Sequence, residues 1–215
     1  CGRLDTAYFI NLYREYLNEK GIFINERFDY SSIEITSNGI NYKGVSAKTI
    51  VFCEGFRVLQ NPFFNYLPLN GTKGELITIH APDLKLNQII KSAVFVIPLG
   101  HDLYSVGSTY AWDDKTGLPT AGAREELESK LKRFITCDYK VVKHVAGIRP
   151  TVTDRRPLVG QHPKHEHLYI LNGLGTRGVL IGPYVALHLF NALYKNSPLE
   201  SELSIDRFSA LYQDL

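Results

Sequence analysis

The spacing of apolar residues changes several times along the chain, and each change predicts an element. Asp5 stands as an N-cap, and Phe9, Leu12, Tyr13, Tyr16 and Leu17 follow at i, i+3, i+4, i+7 and i+8 before Gly21, which predicts an amphipathic helix. Ile33 and Ile35 then alternate with polar residues, Asn38-Gly39 offers the positive φ angles of a two-residue hairpin turn, and Ile40 and Tyr42 return. Residues 49–53 form a continuous apolar run closed by Glu54-Gly55, the pattern of a strand covered on both faces. After a loop over 56–71 the runs 75–80, 93–99, 103–112 and 139–145 are β-rich, with one helix over 121–134 capped by Thr120 and turned inward through Leu127, Leu131 and Phe134. Residues 168–171 predict a further strand, and the apolar run 178–194 a helix buried in protein. The expected fold class is therefore α/β (α+β), with outer segments 1–65 and 149–215 flanking an inserted β-rich domain over 66–148.

The strand at Leu168 leads directly into Asn172-Gly-Leu-Gly-Thr-Arg-Gly178, a GxGxxG pattern at Gly173, Gly175 and Gly178. A turn without side chains at those positions lets N–H groups at a helix start approach an anion or an electron-rich ring. The alternative is a close-packed strand-to-helix turn with no ligand. A dinucleotide site of the Rossmann kind also needs a second strand ending in an acid about 20 residues on. Glu200 and Glu202 fall near that distance, but in a polar stretch with no apolar strand before them.

Composition narrows the function classes. The net charge of +2 comes from 24 basic and 22 acidic residues without long runs, which gives no electrostatic case for a nucleic-acid partner. Three cysteines, at positions 1, 53 and 137, are odd in number and lack a CxxC pair, so neither a zinc site nor a disulfide framework is expected, and a reducing cytoplasm fits best. The chain opens on Cys1 and contains no Met, which reads as a piece of a longer protein.

Few residues have the right setting for chemistry. Arg149 ends a predicted strand just before Pro150, where its planar fork suits bidentate capture of a carboxylate; the alternative is an ordinary salt bridge. His162, His165 and His167 cluster in a proline-containing loop without a carboxylate at helical spacing, so a solvated loop is expected rather than a metal site. No Ser lies in a GxSxG elbow, which leaves hydrolase chemistry without a nucleophile. Phe95 and Tyr104 stand on strands that could line a pocket.

Taken in order, Lys48-Thr-Ile-Val-Phe-Cys-Glu-Gly55, Lys73-Gly-Glu75, Val94-Phe-Val-Ile-Pro98, Val106-Gly-Ser-Thr109, Ala146-Gly-Ile-Arg-Pro150, Asp154-Arg-Arg-Pro157, Val159-Gly-Gln-His-Pro163 and Asn172-Gly-Leu-Gly-Thr-Arg-Gly-Val-Leu-Ile-Gly-Pro183 resemble the FAD-dependent D-amino acid oxidase and glycine oxidase family over nearly the whole chain. The resemblance implies FAD as cofactor. It implies an N-terminal segment with its own GxGxxG holding the adenosine diphosphate half; that segment is not in this sequence, so these 215 residues alone are expected to be inactive. It assigns Gly173, Leu174, Gly175, Thr176, Arg177, Gly178, Val179 and Leu180 to the flavin, with Gly55, and Phe28 to a main-chain contact with the adenine part. Arg149 becomes the substrate-carboxylate arginine and Phe95 an active-site aromatic that is Tyr in glycine oxidase.

The implied reaction is hydride transfer from an amine-bearing carbon to flavin N5, giving an imine that water hydrolyses, with oxygen or another acceptor reoxidising the flavin. The implied partners are a small-molecule amine or amino-acid substrate and that acceptor, with no metal. The oligomeric state is not set by the sequence. Two other readings stay open: a cofactor-free binding or assembly module that keeps the fold, and a nicotinamide-dependent dehydrogenase using 173–178 directly.

Overall fold

Asp5 starts the first helix as its spacing requires: the carboxylate accepts the Tyr8 N–H at 3.1 Å, and α1 runs Thr6–Glu19 in the computed structural model, which describes residues 2–212. None of its residues is buried among the described residues, and Tyr8, Phe9, Leu12, Tyr13 and Tyr16 stay about half exposed or more. The hairpin forms from β1 (Ile33–Thr36) and β2 (Gly39–Tyr42), but its turn is Ser37-Asn38, and Gly39 already belongs to the second strand. Gly39 is needed for another reason. Its φ is +145° and a Cβ there would lie 2.4 Å from the Ala47 carbonyl oxygen, because β3 (Val45–Ala47) pairs closely alongside. The strand expected over 49–53 is β4 (Ile50–Phe52); Phe52 is buried, Ile50 and Val51 are only partly so, and Cys53 is exposed. Full cover on both faces is therefore not observed.

The middle of the chain builds one five-stranded sheet from β5 (Thr72–His80), β6 (Ile90–Lys91), β7 (Phe95–Gly100), β8 (Leu103–Gly107) and, after α2 (Ala121–Leu131), β9 (Lys140–Arg149), in the order β6-β7-β8-β5-β9 and antiparallel throughout. The β8 strand stops at Gly107 rather than at 112, because Thr109 bonds sideways to Glu75: its Oγ1 accepts the Glu75 N–H at 3.0 Å and its own N–H reaches the Glu75 carbonyl at 3.3 Å. The next segment stays beside β5 through an antiparallel bridge between Ala111 and Lys73, and carries Tyr110 and Trp112 with it. Thr120 caps α2, and Leu127 and Leu131 bury fully against Ile77, Ile79, Val96 and Val106. Tyr104 belongs to this core at 3% exposure, so it lines no pocket; its strand parity turns it toward the helix rather than away from it.

The last segment returns to the sheet that holds β4. Strands β10 (Leu158–Gln161) and β11 (Leu168–Asn172) are antiparallel, and β11 runs parallel to β4, giving the order β10-β11-β4. Phe52, Phe64, Leu158, Leu168, Ile170 and Ile205 make its core. Helix α3 (Gly178–Lys195) packs Val185 and Leu189 onto the other side. It is not the buried helix that its apolar run suggests: Val179, Leu180, Tyr184, Leu187, Phe190 and Tyr194 are exposed, because nothing among the described residues covers that face. No helix among the described residues is long and apolar enough to cross a membrane.

The histidine loop departs most clearly from expectation. His162 is buried at 4% exposure, with its ring edge-on to Phe64 and Tyr212 at 5.4 and 5.3 Å, and its Nδ1 accepts the N–H groups of Lys164 and His165 at 3.1 and 3.2 Å. An accepting Nδ1 carries no proton, so the ring is neutral. Burial pushes its pKa down from 6.5 to about 4. The unfolded chain then binds the extra proton first, so folding stability is complete above pH 6.5 and is lost as pH falls through 4. Across that window the loss expected from this one group is roughly 3 kcal/mol. Thermal unfolding of wild type and His162→Phe between pH 7 and 4 checks this, and the variant is expected to show the flatter pH dependence.

Candidate functional site

Arg149 is the last residue of β9, opposite Thr72 of β5. Two registers inward, Gly74 faces Gly147, and this glycine pair leaves space where side chains would stand. The Arg149 guanidinium fills it: a Cβ on Gly74 would lie 2.0 Å from Nη2 and 2.2 Å from Cζ. On its other side the guanidinium stacks on Tyr110, with Cζ 4.6 Å from the ring centroid. Its one hydrogen bond among the described residues is long, from Nη1 to the Thr109 carbonyl at 3.5 Å. Among the described residues no carboxylate lies within 4 Å of it. The salt-bridge alternative therefore has no partner among the described residues. Burial holds the guanidinium below its usual pKa without discharging it at physiological pH.

Phe95 shares this face of the sheet. It pairs with Gly107, which pairs with Leu76, two residues along β5 from Gly74. A Cβ on Gly107 would strike Leu76 Cδ2 at 2.0 Å and approach Phe95 Cζ to 3.2 Å, so the glycine makes room for both side chains on the Arg149 side. The opposite face belongs to α2.

The glycine turn meets this sheet end-on. After β11, Gly173 and Gly175 adopt φ +70° and +56°, a short 3-10 turn covers Gly175–Arg177, and α3 begins at Gly178. Two N–H groups of the turn are already used. Gly173 donates to Asn172 Oδ1 at 2.8 Å, and Gly175 donates to the Pro150 carbonyl at 3.1 Å, which ties the turn to the residue after Arg149. Asn172 also donates to the Gly55 carbonyl at 2.9 Å, so Gly55, with φ +59° at the end of β4, sits beside the same turn.

Between the turn and the sheet lies a cavity of about 470 Å³. Thr72, Tyr110, Trp112, Thr151, Arg155 and residues 173–177 are among those that line it, and no Asp or Glu does. Leu174, Thr176 and Arg177 line this cavity, whereas Val179 and Leu180 do not and are 58% and 78% exposed. Phe28 lies elsewhere, stacked on Tyr42 and packed against Phe52, beside a separate hollow of about 660 Å³ lined also by Glu26, Asp29, Glu54 and Arg57. Tyr110, Trp112, Asn172 and Arg155 were not singled out in the sequence. Only Tyr110 and Trp112 had a signal, two exposed aromatics in the polar run after Thr109.

The aromatic wall is held from below. Lys73, 1% exposed, donates to Asp114 and to the Leu118 carbonyl, both at 2.5 Å, and pairs with Glu75 at 3.3 Å. The bond from Lys73 pulls the Asp114 pKa down to about 2. Residues 73 and 111 also exchange both backbone bonds. This buried ion cluster fixes the segment that carries Tyr110 and Trp112.

A family model for FAD dependent oxidoreductases (DAO) matches residues 1–192. The chain belongs to the FAD dependent oxidoreductase family. This member is 27% identical over 146 residues to glycine oxidase of Bacillus subtilis (strain 168), an alignment covering 65% of the chain and 39% of that protein. Its fold is similar to that of glycine oxidase from Geobacillus kaustophilus, with TM-score 0.64 and 22% identity over 86% of this chain and 51% of that one. It is likewise similar to iminodiacetate oxidase from Chelativorans sp. BNC1, with TM-score 0.63 and 21% identity over 80% of this chain and 52% of that one. The chain thus spans about 40% of the curated relative and about half of the solved structures.

The residues present fit part of a flavin. A Cβ on Gly175 would meet nothing within 4 Å, so open space lies directly beside a positive-φ backbone, and the flanking walls mix aromatic and apolar side chains with threonines and two arginines. After α3 the described chain forms turns and a 3-10 helix over Ile205–Leu211 rather than an acid-ending strand, which removes the dinucleotide reading of this GxGxxG. No group of three or more His, Cys, Asp or Glu side chains suited to a metal ion occurs among the described residues.

The glycines of the turn are not equivalent. A Cβ on Gly173 would lie 2.6 Å from Val152 Cγ2 and 3.1 Å from the Leu158 backbone nitrogen, on top of its positive φ. Gly178 is helical, at φ −53°, and a Cβ would meet Leu174 Cβ at 3.3 Å. Gly173→Ala is expected to destabilise the fold by roughly 2–5 kcal/mol, from left-handed strain plus overpacking. Gly178→Ala is expected to stay within about 1 kcal/mol, its better helix propensity offsetting the contact. Denaturant unfolding of the two variants checks the contrast.

Proposed function

We propose that this chain supplies the substrate-holding and flavin-facing parts of an FAD-dependent enzyme that oxidises an amino acid or related amine. The three-part division at 1–65, 66–148 and 149–215 belongs to this proposal, with the first and last parts facing the cofactor. The observation that carries the reading is Arg149, a half-buried guanidinium with no carboxylate partner among the described residues, beside a cavity that ends at the glycine turn. Bound there, FAD would supply the hydride acceptor for the carbon bearing the amine, and oxygen or another acceptor would take the electrons onward.

The chain's own residues do the positioning. Arg149 binds the substrate carboxylate through two parallel N–H contacts, and Tyr110 fixes the plane of the fork. Phe95, on the same face, has no hydroxyl, so it contributes shape and water exclusion rather than a proton. Gly173 to Arg177 and Gly178 present backbone and a helix start toward the cofactor, which favours negative charge developing there. Phe28, beside its own hollow, would make the main-chain contact to the adenine part. No side chain is needed to take the amine proton if the amine binds neutral, and orientation then supplies most of the rate. The unpaired Cys53 and Cys137 suit a reducing compartment, the cytoplasm.

Steady-state kinetics of the full-length protein test this. Arg149→Ala is expected to lose about 2–5 kcal/mol of transition-state binding on a carboxylate substrate, some thirty to several thousand-fold in kcat/KM. Arg149→Lys recovers part, since one ammonium cannot make both fork contacts. Amines without a carboxylate are affected far less, and the melting temperature stays close to wild type. Retained activity in Arg149→Ala, or loss only through unfolding, contradicts the reading.

A further inference from the structure

We infer that Gly74 is a positioning residue: the side chain it lacks leaves the slot that holds the Arg149 guanidinium against Tyr110, and the slot sets where a carboxylate is captured. The inference rests on the substrate-binding role proposed above for Arg149.

Strand register makes the slot. Thr109 bonds to Glu75, and Ala111 exchanges both backbone bonds with Lys73, so Tyr110 stands beside Gly74 on one side of β5 as Gly147 does on the other. Directly opposite residues of an antiparallel pair project from the same face. The row Tyr110, Gly74, Gly147 therefore holds one ring and two gaps. Arg149, opposite Thr72 and two residues along β9 from Gly147, reaches Gly74 on a diagonal of about 7–8 Å, a span that an arginine side chain covers. Its head group rests over Gly74 and not over Gly147. A Cβ on Gly74 would overlap Nη1, Nη2 and Cζ together, whereas one on Gly147 would meet nothing within 4 Å.

The backbone does not require glycine at position 74. Its φ lies outside the left-handed region, and a glycine inside a paired strand weakens that strand. What requires it is the guanidinium. At the other glycines of the described residues where a Cβ would find an obstacle, the obstacle is an apolar side chain or backbone; at Gly74 alone it is a charged group.

The strand is also prevented from moving aside. Lys73 and Glu75 flank Gly74 and project from the opposite face, where they are 1% and 3% exposed and 3.3 Å apart. Glu75 accepts the Thr120 N–H at 2.8 Å as well, which ties the same stretch of β5 to the start of α2. A side chain at 74 therefore displaces the far end of a flexible arginine rather than a strand pinned on both sides of it. The fork then leaves Tyr110, and the two parallel contacts to a carboxylate lose their plane while the charge remains.

The test uses the full-length protein with its flavin, titrated with acetate and with acetamide, its uncharged counterpart, by calorimetry and by flavin absorbance, with melting temperatures alongside. Gly74→Ala is expected to weaken acetate about tenfold or more, to leave acetamide unchanged and to melt close to wild type. Gly147→Ala, one strand over, is expected to leave both probes unchanged. In an Arg149→Ala background the change at Gly74 is expected to have no further effect, because no guanidinium is left to displace. Full acetate affinity in Gly74→Ala, an equal loss in Gly147→Ala, an additive loss in the Arg149→Ala background, or a Gly74→Ala protein that does not fold each overturns the inference and leaves the role of Arg149 standing. Acetate binding that is absent from wild type, or indifferent to Arg149→Ala, brings down the proposed function instead.

Discussion

A guanidinium cannot shed its charge at any physiological pH, so burying half of one strengthens its attraction for an anion. Among the described residues no carboxylate lies within 4 Å of Arg149; the nearby Glu75 is taken by Lys73 and His144. Instead the sheet provides neutral support: a glycine floor at Gly74, a carbonyl at Thr109 and the face of Tyr110. Each of these orients the fork without neutralising it. A side chain so oriented, with no carboxylate beside it among the described residues, is what the proposed substrate-binding role requires, and the surrounding contacts keep it in place. The nearby Lys73 shows the contrast. It is more deeply buried, but Glu75, Asp114 and the Leu118 carbonyl satisfy it, so it serves as an anchor rather than as a receptor.

The two sheets come together through few but specific contacts. Arg149 ends its strand, Pro150 follows, and the carbonyl of that proline accepts the Gly175 N–H. Asn172 reaches in the other direction to Gly55. Through these two bonds the ends of β4, β9 and β11 are held around one cavity, so a shift of the glycine turn must move the arginine strand with it. The buried Lys73 cluster holds the third wall. This coupling joins residues that lie far apart in the sequence into one site.

Much of this was legible in the residues, and the remainder was not for definite reasons. Asp5 and Thr120 marked helix starts because capping is a local interaction, and the alternation at Ile33 and Ile35 marked a strand for the same reason. Arg149 could be picked out because a strand, an arginine and a proline occur in succession. His162 could not: its loop is polar in sequence, and only the fold brings Phe64 and Tyr212 around it. The end of β8 was misplaced because the sideways bonds between Thr109 and Glu75 are 34 residues apart in the chain. Arg155 was invisible for a third reason. Nothing in the sequence Asp154-Arg-Arg-Pro157 says which arginine lines the cavity, and the left-handed conformation of Arg155 is a backbone property of the folded loop. The exposed apolar faces of α1 and α3 show the limit of periodicity as a guide: it predicts which side of a helix is apolar, not whether the described chain covers it.

The central claim is that the charge on Arg149 is reserved for a ligand. A crystal structure of the full-length protein with a bound carboxylate substrate analogue tests it most directly. The account predicts both carboxylate oxygens within hydrogen-bond distance of the Arg149 fork, with the guanidinium still flat on Tyr110 and above Gly74. An Arg149 paired instead with a carboxylate of the protein itself, and an analogue bound elsewhere, would contradict it.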